Sequence, residues 1–80
     1  MANRQHVAVL KNGVAAWNRW RHENSIERPD LRDLDLSKQD LQAIDFRNVD
    51  LYRGSLWRAD LSGATLESAE LSSVTLTACV

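Results

Sequence analysis

From residue 31 to residue 76 every fifth position is apolar: Leu31, Leu36, Leu41, Phe46, Leu51, Leu56, Leu61, Leu66, Leu71 and Leu76. An amphipathic helix brings an apolar side chain back every three or four residues, and a half-buried strand every two. Neither can hold this ladder on one face. Ile26 continues the register one step earlier. A fixed short period marks a solenoid, in which each repeat buries its apolar residue only against its neighbours.

The flanking columns are ordered too. The residue before each central one is Asp30, Asp35, Asp40, Asp45, Asp50, Ser55, Asp60, Thr65, Glu70 or Thr75, polar at every step. Two before the central residue, the later steps carry Gly54, Ala59, Ala64 and Ala69, so the unit reads A-D-L-x-x. Runs such as Ala59-Asp60-Leu61-Ser62-Gly63 and Ala64-Thr65-Leu66-Glu67-Ser68 resemble the pentapeptide-repeat family, over residues 26–80. The resemblance implies a β fold: a right-handed quadrilateral parallel β-helix, five residues per side and four sides per coil. The ten central residues would then make about two and a half coils, roughly 12 Å of stack at sheet-like spacing.

In that geometry each pentapeptide supplies a short extended side and a corner, and positions twenty apart stack. Leu36, Leu56 and Leu76 share one column, as do Leu31, Leu51 and Leu71. The small-residue column departs from the family at Leu34, Gln39, Ile44 and Val49. Leu34 would meet Gly54 and Ile44 would meet Ala64, so bulky layers face small ones. Gln39 is an amide expected to point inward, where it needs partners. The aspartates are expected to accept backbone N–H bonds at the corners rather than to hold calcium. Calcium-binding β-helices need glycine-rich turns, and glycine stands only at 13, 54 and 63.

Residues 1–25 are built differently. Val7, Leu10, Val14 and Trp17 recur at helical steps, flanked by Val9, Ala16 and Trp20, which predicts one helix over residues 5–23. Gly13 weakens it by about 1 kcal/mol. Asn24 and Ser25 read as its stop, and Pro29 sets the path into the repeats. A solenoid end is a row of open backbone groups over bare leucines, and this helix suits its capping, through Leu10, Val14 and Trp17. Residues 10–24 are also similar to the leader of many cyanobacterial members of the family. The division is therefore a capping helix at 1–25 and a β-helix at 26–80.

Charge follows the same division. Residues 1–28 carry +3 and residues 29–80 carry −4, within a net −1. Cys79 is the single cysteine, so no intrachain disulfide or thiolate cluster can form, and it reads as a plain thiol rather than a nucleophile. His6 and His22 lie sixteen apart without metal-ligand spacing and read as solvated helix residues. No catalytic constellation, cofactor motif, phosphate loop or basic stripe is present, so neither an enzyme nor direct nucleic-acid binding is expected. Without a signal sequence or apolar span, the expected location is the cytoplasm, away from membranes.

Two surfaces remain as candidates for interaction. Tyr52, Arg53, Trp57 and Arg58 place two aromatics and two arginines on adjoining sides, either as a binding hot spot or as cation–π packing along the stack. The C-terminal edge carries Val74, Leu76 and Val80 among threonines, with no lysine, proline or charge to deter pairing. It is expected to meet a second copy head to head, or further coils if the chain continues. The function expected is a non-catalytic scaffold or protein–protein interaction module. The resemblance implies an alternative, a DNA mimic regulating an enzyme such as a type II topoisomerase, although five basic residues interrupt the acidic columns.

Overall fold

The computed structural model describes residues 2–24 and 28–78. Ser25, Ile26, Cys79 and Val80, with the expectations attached to them, lie outside the described residues. Two helices come first, α1 (Arg4–Lys11) and α2 (Val14–Glu23), where the sequence pattern predicts one. Asn3 starts α1: its side-chain oxygen accepts the N–H groups of Gln5 at 2.8 Å and His6 at 3.3 Å. Gly13 separates the helices at φ 104°, a conformation that costs glycine little and any other residue much more. Asn24 follows α2 as its C-cap. The break keeps the apolar stripe together. Leu10 and Trp17 are buried and Val14 is half-buried.

Beyond Pro29 the chain winds as a solenoid. Parallel bridges join Asp30 to Asp50, Asp35 to Ser55, Asp40 to Asp60, Asp45 to Thr65, Asp50 to Glu70 and Ser55 to Thr75. Partners are twenty residues apart, so four pentapeptides complete a circuit. Among the described residues the pairing is by single residues and no extended strand forms, which corrects the expectation of short extended sides. The reason is the turn, which takes most of each unit. The N–H three residues after a central residue donates back to its carbonyl, as from Ile44 to Leu41 at 3.2 Å and from Ala64 to Leu61 at 2.9 Å. The third turn residue sits at positive φ, from 58° at Ser73 to 72° at Gly63, as a type II turn requires.

Most of those positions are not glycine, and an L-residue there costs about 1–2 kcal/mol. Bonding between circuits offsets the cost. Lys38 N–H donates to the Trp57 carbonyl at 2.8 Å, Ala43 to Ser62 at 2.8 Å and Asn48 to Glu67 at 2.9 Å. The polar column fixes the corners as the sequence suggests. Asp35 accepts the N–H of Ser37 at 2.9 Å, Asp60 that of Ser62 at 3.0 Å, and Glu70 that of Ser72 at 2.8 Å.

The core is Leu31, Leu36, Leu41, Ile44, Phe46, Val49, Leu51, Leu56 and Ala59, joined by Leu10 and Trp17. Leu34 does lie against Gly54: a Cβ added at Gly54 would stand 3.0 Å from the Leu34 carbonyl oxygen. Gln39 corrects the inward expectation. It is exposed, on the rim of a cavity of about 90 Å³ that opens where α1 leaves the first circuit uncovered, between Val7, Leu10, Leu34 and Leu36.

Candidate interaction surfaces

At the N-terminal end, helix side chains bond the backbone that a preceding circuit would otherwise meet. The Trp17 indole N–H donates to the Asp45 carbonyl at 2.8 Å. Asn18 accepts the Asp45 N–H at 2.8 Å and donates to the Ala43 carbonyl at 3.0 Å. Arg21, buried, donates to the Arg47 carbonyl at 2.8 Å. His6 accepts the Asp30 N–H at 3.0 Å, and the Asn3 N–H donates to the Asp30 carbonyl at 2.9 Å. His6 is thus buried and engaged, with its ring 5.1 Å from that of Trp20, which corrects its reading as a solvated residue. His22 is exposed. Trp17 meets Phe46 edge-on at 5.9 Å and Trp20 at 5.3 Å, so two apolar contacts accompany its hydrogen bond.

The pairing is uneven around the circuit. Call side one residues 30–34, 50–54 and 70–74, side two 35–39, 55–59 and 75–78, side three 40–44 and 60–64, and side four 45–49 and 65–69. The helices bond the backbone at the corners of sides one and four, Asp30 and Asp45. Among the described residues the N–H groups of Asp35 and Asp40, at the corners of sides two and three, have no protein acceptor.

Tyr52, Arg53, Trp57 and Arg58 fall on sides one and two. Tyr52 is 41% exposed and Trp57 half-buried. Arg53 lies 3.8 Å from Asp33. Trp57 has the Lys38 ammonium 5.2 Å and the Arg58 guanidinium 4.8 Å from its ring centre. Lys38 is not among the residues that the sequence singles out; its position twenty residues before Arg58 is the signal that could have found it.

Elsewhere basic and acidic groups pair along the chain. Arg32 holds Asp30 through two nitrogens at 2.9 Å, and Arg47 holds Asp45 at 2.9 and 2.8 Å. The Arg32 side chain is the main reason the Asp30 carboxyl lies below its ordinary range, and Arg47 does the same for Asp45. Hydrogen bonds from Ser37, Ser62 and Ser72 hold Asp35, Asp60 and Glu70 down in the same way. All these partners stand two residues apart along the chain, within one corner rather than between stacked columns.

Toward the C-terminal end of the described residues burial falls. Leu61, Leu66 and Leu71 are half-buried, Val74 is half-buried, and Leu76 is 45% exposed. Among the described residues no group of three or more His, Cys, Asp or Glu gathers as metal ligands would, and no helix is long and apolar enough to cross a membrane.

A family model for pentapeptide repeats (8 copies) matches residues 30–67 and 44–80. No curated protein matches the chain at a significant level.

Proposed function

The chain belongs to the pentapeptide-repeat family, and from that premise we propose a non-catalytic scaffold that binds another protein through Tyr52, Arg53, Trp57 and Arg58. The observation that carries the reading is the exposure of Tyr52 beside the Trp57 cluster. Large aromatics with arginine at a protein surface are the side chains that most often anchor protein interfaces. In this reading the coils are right-handed, about two and a half in number, and serve in the cytoplasm. Helices α1 and α2 form the cap of residues 1–25, with Leu10, Val14 and Trp17 as its contacts.

Cross-linking in cells with the parent and with Tyr52→Ala/Trp57→Ala tests the surface. Partners recovered by the parent and lost by an equally folded double variant support it. Identical partner sets would remove it. The duplex-mimic alternative needs a long field of one sign, and the cations around Trp57 interrupt it.

The exposed Leu76 and half-buried Val74 favour a second contact, between two copies meeting through these residues about a two-fold axis; Val80, expected there too, lies outside the described residues. Sedimentation at low micromolar concentration should show a dimer that Leu76→Lys dissociates. A monomer unaffected by the change would end this proposal.

A further inference from the structure

Side two differs electrostatically from the rest of the solenoid. Sides one and three each carry a formal −2 and side four −1, whereas side two carries Lys38 and Arg58 against Asp35, a formal +1. The cause is visible in the polar column. Where side one stacks Asp30, Asp50 and Glu70, side two stacks Asp35, Ser55 and Thr75. Two carboxylates are missing beside Trp57.

The pairing of the cations differs accordingly. Arg32, Arg47 and Arg53 each have a carboxylate within 4.0 Å. Among the described residues Lys38 and Arg58 have none, and lie instead over the Trp57 ring at 5.2 and 4.8 Å. An ion pair cancels charge; a cation–π contact orients a cation and leaves its charge outward. The backbone that carries them is held as well. Lys38 N–H donates to the Trp57 carbonyl at 2.8 Å, and Arg58 N–H to the Thr77 carbonyl at 3.2 Å. Two cations fixed in this way lose less freedom on binding than two mobile ones would.

We propose that Lys38, Trp57 and Arg58 on side two form a docking site for an acidic segment of a partner protein, whose carboxylates pair with the two cations. This rests on the interaction-module reading and refines it: Lys38 joins the surface, and Arg53, beside Asp33, drops out of the recognition pair. Two adjacent carboxylates match two adjacent cations, and the negative charge of the other three sides directs an acidic segment toward side two.

The test is a titration of the isotope-labelled full chain with blocked hexaglutamate, followed by amide and indole resonances. Saturable shifts should concentrate at Lys38, Trp57 and Arg58, and affinity should fall about tenfold or more between about 0.05 M and about 0.5 M salt. Lys38→Glu/Arg58→Glu should weaken binding by about tenfold or more, with the remaining spectrum unchanged. Arg47→Gln, on side four, should leave affinity intact. Shifts absent at millimolar peptide, or spread evenly over the arginines, would overturn the proposal. So would equal binding of inorganic phosphate, which would make this a general anion patch, or tighter binding of a short DNA duplex. If hexaglutamate fails while cross-linked partners still depend on Tyr52 and Trp57, the acidic chemistry falls and the interaction module stands.

Discussion

The two ends of the solenoid are built from the same leucine repeat and have different fates. Near the helices, Leu31, Leu36, Leu41 and Phe46 are 0–3% exposed, while at the other end Leu76 is 45% exposed. A leucine in the ladder is therefore not a core residue by virtue of its register. It becomes one when something lies on both sides of it. The helical cover is polar as well as apolar: Asn3, His6, Trp17, Asn18 and Arg21 all bond first-circuit backbone, as a preceding circuit would. A greasy plug alone would leave those backbone groups without partners, at about 1–3 kcal/mol for each one buried.

The largest effect that could break this comparison comes from placing the same charge at both ends. Leu56, 1% exposed, lies between Leu36 and Leu76 in its column. Leu56→Asp should unfold the chain by burying an unpaired carboxylate. Leu76→Asp should leave a folded protein by circular dichroism. Equal damage at both sites would mean the burial gradient is wrong.

Next in size is Trp17→Ala, expected to cost about 3–5 kcal/mol in a chemical denaturation series. Trp17→Phe should keep most of the packing and lose about 1 kcal/mol with the hydrogen bond to Asp45. A melting temperature for Trp17→Ala within a degree or two of the parent would show that α2 is not part of the cover.

Gly54→Ala sharpens the account within the stack. Its Cβ would meet two backbone oxygens, of Leu34 at 3.0 Å and Leu51 at 3.1 Å, which cannot swing aside. We expect a loss of about 1–3 kcal/mol. A neutral result would show that the circuits can separate locally.

Acid should act most gently. Asp30, Asp35, Asp45, Asp60 and Glu70 all have carboxyls below their ordinary range in the folded chain. Their contribution is complete above the unfolded values, near pH 4, and is lost as pH falls through the folded ones. These carboxyls should thus make the melting temperature decline below about pH 4. A rise in stability on acidification would contradict the corner hydrogen bonds.

The five-residue register was legible from the leucine positions, and four sides to a circuit was what the family resemblance implied; six bridges twenty residues apart agree with both. The corner role of the aspartates followed from side-chain chemistry. Other features needed the third dimension. Gly13 could be charged against a helix, but its φ of 104° depends on where α1 and α2 must both land. His6 lies on the buried face of α1, four residues before Leu10, yet nothing nearby in sequence announces a backbone donor at Asp30. Gln39 was expected inside because its column is inward elsewhere; in the first circuit that position borders the cavity beside α1. These three lie near the meeting of helices and repeat, where neither period applies; the lack of extended strands among the described residues lies in the repeat itself, where turns take most of each unit.

Residue-resolved hydrogen exchange tests the central claim, that side chains of the helices stand in for a preceding circuit. Asp30, Asp35, Asp40 and Asp45 occupy equivalent corners of the first circuit, yet only Asp30 and Asp45 have helix acceptors for their N–H groups, at His6 and Asn18. The account predicts that the amides of Asp30 and Asp45 exchange as slowly as those of Asp50 and Thr65, which bond to Pro29 and Ile44 in the circuit below. Asp35 and Asp40 should exchange quickly, and Asn18→Ala should release Asp45 alone. Four first-circuit amides exchanging at one common rate would contradict it.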